Sequence, residues 1–308
     1  MTAHSAPRTK PTAGEQIRSK LNDWTAKLKL YWKLIKSLQT GLLLATGLAG
    51  YVSARCPVTN WTTLLGVAGS LFLAISGSTV LNMVYDRDID AKMKRTDGRP
   101  LPAGQVSPRE GLYLGVLLAG LGVGWALVLS PLFGAIVFAG LFFDVVVYTI
   151  WLKRRTSWSI VWGGISGGMP VLAGRALGAG QIDAIGLLLA LGVLFWIPTH
   201  IMTFSMRYHE DYQRAGIPTF PSTYGLRTTR AIIAIASLMA ALAMAGAGVG
   251  IGMAWGYLRL LAVLSGGLFV LALASLARPS EQVNFGLFKY ASLYMLNAML
   301  LIFLEALG

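Results

Sequence analysis

Residues 82–104 read NMVYDRDIDAKMKRTDGRPLPAG and begin in the last turn of an apolar run over 62–85. Asn82, Asp86 and Asp90 are spaced by four. On a helix such residues drift by about 40° per step, so all three share one stripe and Asp88 faces away. The apolar run is long enough to cross a bilayer, which needs about 20 residues. A helix that crosses a membrane and then delivers carboxylates to its surface is therefore the unit from which the rest is read.

Similar apolar runs recur on both sides of it. Candidate spans lie at 33–53, 62–85, 111–129, 132–152, 158–177, 183–205, 229–252, 257–277 and 287–307. Only Ser130 and Pro131 separate the third from the fourth, which makes a tight helical hairpin. Composition agrees: 55% of residues are hydrophobic and only 13% charged, where a soluble domain carries about 25% charged residues. Too little polar surface remains for a water-soluble globule. The expected class is an all-α integral membrane protein with nine transmembrane helices.

The net charge of +13 is explained by where the bases sit. The N-terminal tail and the segments after the second, fourth, sixth and eighth spans hold 23 of the 26 Lys and Arg residues. Arg55, Arg175 and Arg259 remain for the other side. The positive-inside rule then places the N-terminus and these segments in the cytoplasm and the C-terminus outside. It also removes the nucleic-acid reading that so basic a chain otherwise invites. Residues 1–30 form a basic cytoplasmic tail: Thr2 to Gly14 is expected to be disordered, and 15–32 to be either a helix on the membrane surface or a solvated tail. The single cysteine, Cys56, excludes an internal disulfide and is expected to be inert.

Stacked carboxylates repel one another unless a cation sits among them. Oxygen ligands without His or Cys suit Mg²⁺, which keeps waters and bridges to phosphates. Arg87, Lys94, Arg95 and Arg99 surround the stripe, so a Mg-diphosphate site competes with a solvated loop of local ion pairs. A second polar cluster, HIMTFSMRYHEDYQRAGIPTFP at 200–221, is expected on the same side and facing the same cavity. Lys153, Arg154 and Arg155 end the fourth span there too. They suit either a leaving diphosphate or positive-inside anchoring. His200, inside the sixth span, faces a cavity or bonds a neighbouring helix. Asp144, the only acid deep in a span, lacks an obvious partner. Gly163, Gly164, Gly167 and Gly168 allow close helix approach, and Pro170 is expected to kink its span.

These motifs resemble the UbiA superfamily of intramembrane prenyltransferases, and most of all its heme-farnesylating branch. The match covers roughly 30–305. It rests on Asn82, Asp86 and Asp90 followed by KRTDGRPLPAG at 94–104, on YTIWLKRRT at 148–156 running into GGISGGMP at 163–170, and on WIPTH at 196–200 followed by Asp211, Tyr212 and AGIP at 215–218. The resemblance implies a nine-helix prenyltransferase domain over 31–308, with its helices around a central cavity. It implies Mg²⁺-dependent ionisation of farnesyl diphosphate and alkylation of a vinyl group of heme b, which is substrate rather than cofactor. Asn82, Asp86, Asp90 and Asp211 would be catalytic, with Asp86, Asp90, Asp211 and Glu210 reaching Mg²⁺ through the diphosphate. Arg95, Arg99, Lys153 and Arg154 would bind the diphosphate, and His200, Tyr148 and Tyr208 the heme. A heme A synthase or terminal oxidase would use the product. Alternative readings are a quinone, chlorin or ether-lipid precursor as acceptor and, from another class, a small transporter.

Some residues depart from the pattern. Asp211 has Ala215 where many relatives carry a second aspartate, Ser-Thr-Tyr-Gly follows Pro221, Lys36 is followed by Ser-Leu rather than Pro-Arg, and Asp144 is unexpected.

Overall fold

A computed structural model describes residues 13–54 and 60–307, and side chains from 24 to 306. The expectations for Cys56, Arg55 and residues 2–12 lie outside the described residues. Every regular element among the described residues is a helix. Helix α1 (Ala13–Leu34) ends at Lys36, whose φ of 44° puts it in the left-handed region. That break separates α1 from α2 (Ser37–Val52), so the first long helix starts later than the apolar run suggests.

Helix α3 (Trp61–Asp90) is capped by Asn60, whose side chain accepts from the Thr62 amide. At 1.5 Å per residue its 30 residues extend about 45 Å, against about 30 Å of hydrocarbon. Its last turns, with Asn82, Asp86 and Asp90, therefore overhang the apolar layer.

Helix α4 (Pro108–Leu129) turns at Ser130 into α5, which starts as Pro131–Phe142. The Ser130 hydroxyl accepts from the Phe133 amide, and Pro131 fills the first helical position, where its missing N–H costs nothing. From Phe143 to Leu152 the helix widens to π geometry.

Helix α6 (Ser159–Ala179) is wedged between α2 and α7 (Ala184–Arg207). A Cβ on Gly174 would lie 2.0 Å from the Gly47 carbonyl oxygen, and one on Gly168 would lie 2.8 Å from that of Ala190. Glycine stripes thus let both neighbours approach at backbone distance, as small residues do between membrane helices. Pro170 is accommodated inside α6, and no non-helical residue interrupts that helix. The short α8 (His209–Arg214) follows α7. Helix α9 (Phe220–Ile251) is broken at Gly225, where φ is +80°, and α10 (Trp255–Ala277) and α11 (Glu281–Leu307) complete the bundle.

Among the described residues, seven helices are long and apolar enough to cross a membrane: α3, α4, α5, α7, α9, α10 and α11. Seven of the nine expected spans are matched on those criteria; the first and the fifth fall on α2 and α6, which do not meet them. Helix α2 has only 16 residues, and glycines and Arg175 dilute α6. The main core joins α7, α9, α10 and α11 around Leu189, Met244, Leu268 and Tyr294. A smaller one joins α2, α3, α5 and α6 around Leu71, Phe133 and Ala173.

Candidate active site

The overhanging end of α3 carries its acids inward. Asp86 and Asp90 are each only 5% exposed. Lys153, just past α5, donates to Asp86 Oδ2, and Arg99 donates to Asp90 Oδ2 at 2.7 Å. Thr96 pins the intervening turn through the Asp90 carbonyl at 2.8 Å. Asp88, exposed on the other face, takes a two-pronged contact from Arg154 at 2.6 and 2.7 Å. The guanidinium of Arg154 also caps the Tyr85 carbonyl and lies 4.6 Å from the Tyr85 ring. Arg154 therefore braces the outer face of α3, although one of its nitrogens comes within 3.9 Å of Asp86 Oδ1.

Asn82 lies one turn deeper. Its Nδ2 donates to Asp144 at 2.7 Å, and its Oδ1 accepts from Thr149 at 2.9 Å. Ser78 donates to the same Asp144 oxygen. The acid that lacked an obvious partner in the sequence thus binds the first residue of the stripe. Tyr148 is half-buried, with its ring 5.6 Å from the Lys153 ammonium. Burial works against that ammonium, but Tyr148 and Asp86 outweigh it and hold the lysine pKa above its ordinary value.

Lys36 was not among the expected site residues. It is half-buried at the α1–α2 break, close enough to Arg99, Lys153, Asp90 and Asp86 to feel their charges. Burial and the neighbouring Arg99 and Lys153 push its pKa down to about 8. The available signal was the departure after Lys36, which marks a place where the backbone does something unusual.

The second cluster lines a cavity of about 660 Å³ with Lys94, Arg95, Arg207, Tyr208, Glu210 and Asp211. Asp211 is buried and pairs with Arg214 at 2.6 Å, whereas Glu210 is exposed. Arg95 connects the two clusters. It lies 4.8, 5.5 and 5.7 Å from the rings of Phe204, Tyr208 and Tyr212, and 3.4 Å from the Tyr212 hydroxyl. Beneath it, Ile89 and Met93 pack on Ala215 and Ile217. The two acidic clusters were expected to face one cavity, and Lys94 and Arg95, from the segment that follows the first, do line this one. Asp86 and Asp90 are held by Lys153 and Arg99, and Asp211 by Arg214.

His200 is held at depth in α7. Its ring stacks between Trp196 at 5.0 Å and Phe288 at 4.7 Å, and its Nδ1 lies 3.2 Å from the Ser292 hydroxyl on α11. The helix–helix hydrogen bond considered for it is present.

Among the described residues, no three acids or histidines converge on one metal position. The donor set still fits Mg²⁺ shared with a diphosphate rather than caged by protein. The ligands are all oxygen, and the buried Asp86 Oδ1 has no hydrogen-bond partner.

Buried carboxylates, each paired with a base, at one end of a glycine-packed helical bundle define an intramembrane enzyme for an anionic, lipid-like substrate. The UbiA prenyltransferase family model matches residues 43–293, and the chain belongs to that family. A relative in Archaeoglobus fulgidus called protoheme IX farnesyltransferase is 44% identical, over 70% of this chain and 76% of its own. One of the same name in Pyrobaculum neutrophilum is 36% identical over 85% of this chain and 94% of its own. Among solved structures, a digeranylgeranylglyceryl phosphate synthase superposes with a TM-score of 0.76 at 20% identity, covering 91% of this chain and 99% of its own. A UbiA homologue from Archaeoglobus fulgidus, bound to GPP and Mg²⁺, superposes with a TM-score of 0.69 at 15% identity, covering 89% and 99%. Family membership sets aside the transporter reading. The protein is an integral membrane prenyltransferase.

Proposed function

We propose that this chain transfers a farnesyl group from farnesyl diphosphate to a vinyl group of heme b, yielding heme O. The names of its relatives support the acceptor. The observation that carries the chemistry is the pairing of buried Asp86 and Asp90 with Lys153 and Arg99. Cations that already hold carboxylates can turn to a diphosphate as it enters. Mg²⁺, when bound, supplies charge neutralisation to the leaving diphosphate; Asp86, Asp90 and Asp211 would hold it, with Asn82 and Glu210 supplying further oxygens.

Lys153, Arg99 and Arg95 then stabilise the charge that develops as the carbon–oxygen bond breaks. Such preorganised charge is worth most where water is excluded. The farnesyl carbon joins the terminal vinyl carbon, water adds to the adjacent carbon, and diphosphate and one proton are released. The Trp196–His200–Phe288 stack offers flat aromatic surface suited to a porphyrin, with Tyr148 and Tyr208 nearer the diphosphate end. Basic segments after α3, α5 and α7 favour the cytoplasmic side for this end, and a heme A synthase or terminal oxidase would be the consumer of the product.

The test is mass spectrometry of hemes after incubating purified protein with heme b, farnesyl diphosphate and Mg²⁺, with EDTA as control. A product carrying farnesyl plus water, lost on chelation, is the expected result. Bound diphosphate without a heme product would move the acceptor to a quinone, chlorin or ether-lipid precursor.

A further inference from the structure

Asp144 is absorbed by none of the roles above. It sits at the start of the π-helical stretch, and Thr149 sits five residues later. On an α-helix residues five apart point about 140° away from each other. The i→i+5 winding of a π-helix brings them nearly into line. Asp144 and Thr149 thus reach the same residue of α3, Asn82, from one helix face.

The two contacts are not equivalent. A threonine hydroxyl can donate or accept, so Thr149 tolerates either orientation of the Asn82 amide. The Asp144 oxygen that receives both Asn82 Nδ2 and the Ser78 hydroxyl only accepts. It forces the nitrogen inward and turns the carbonyl oxygen toward Thr149. That oxygen accepts one hydrogen bond and keeps a second lone pair. A carboxylate behind the amide also polarises it, making the carbonyl a better ligand.

We propose that Asp144 is a positioning residue, which locks the Asn82 amide so that its oxygen is presented to the metal-diphosphate site. The inference rests on the prenyl diphosphate reading but not on the acceptor. It explains an acid in the middle of a span, where an idle charge is costly.

The experiment uses the purified full chain, Mn²⁺ as probe and an unreactive farnesyl thiolodiphosphate, with free Mn²⁺ read by electron paramagnetic resonance. Asp144→Asn keeps the shape but offers an amide that can face either way. Its Mn²⁺ affinity is expected to fall by about 10- to 100-fold, the usual loss on removing an outer partner of a metal ligand. Adding Asn82→Asp to Asp144→Asn moves the carboxylate to the ligand position and the amide behind it, and affinity should recover. A purely structural role for Asp144 predicts no such rescue. Wild-type affinity in Asp144→Asn, or a double variant no better than the single one, overturns the proposal. If the Mn²⁺ pattern holds while no heme product forms, the positioning role stands and the acceptor assignment fails.

Discussion

Truncating the acid of either buried pair at the end of α3 leaves a lysine or arginine with neither counter-charge nor acceptor, and breaking a buried pair in that way costs about 3–5 kcal/mol. An amide keeps the size of the side chain and an oxygen that accepts from the cation, so it is the cleaner substitution. Asp86→Asn and Asp90→Asn should each lower kcat/KM by about 10²-fold or more, the scale seen when one electrostatic stabiliser is removed, while folded yield stays near normal. Full turnover in either variant would remove these residues from the diphosphate site. Lys36 makes a separate prediction about pH. With a pKa of about 8, it loses its charge as pH rises through that value. The kcat/KM for prenyl diphosphate, which reports the free enzyme, should fall across that window, and Lys36→Arg should push the fall to higher pH. An unchanged profile in the arginine variant would mean that Lys36 does not meet the substrate.

Element by element, the long helices were legible because a 20-residue apolar run carries its own signal. What was not legible is local winding. Nothing in the apolar run at 143–152 separates π from α geometry, so the partner of Asp144 could not be read from its own neighbourhood. The contact joins residues 62 apart in the chain and exists only once α3 and α5 pack. The same holds for the Lys36 break, which places a cation beside acids 50 residues further on. The glycines of α6, by contrast, declared close packing in advance, and the backbone distances give it a number. Gly174→Val should abolish folded yield, since even its Cβ would collide with the α2 backbone, whereas Gly98→Ala in open space should leave the melting temperature unchanged. Folded yield of the first variant and thermal unfolding of the second, both in detergent, check this, and a normal yield of Gly174→Val would contradict the α2–α6 approach.

At the scale of the whole molecule, the charge-bearing loops and α1 gather at one end. Helix α1 is tied there by Lys27 and Tyr31, both bonding Glu110 at the start of α4. Charge asymmetry along the sequence anticipates this end. It does not anticipate which cation each buried acid would hold. The orientation in the bilayer is open to a direct test. With Cys56→Ser as background, a single cysteine replacing Gly98 should react with an impermeant thiol reagent only from the cytoplasmic side, and one replacing Gly180 only from outside. The reverse pattern would invert the proposed topology.

The far end is organised around Arg175, which is 7% exposed. Its guanidinium binds Asp183 at 2.7 Å and also the backbone carbonyl of Ser53, tying α2, α6 and the α6–α7 turn together. One guanidinium that grips a neighbouring backbone, and is itself neutralised by an acid, fastens three parts of the chain at once. It works like the rivet of a fan: the helices are pinned at this end and are left freer to part at the opposite one.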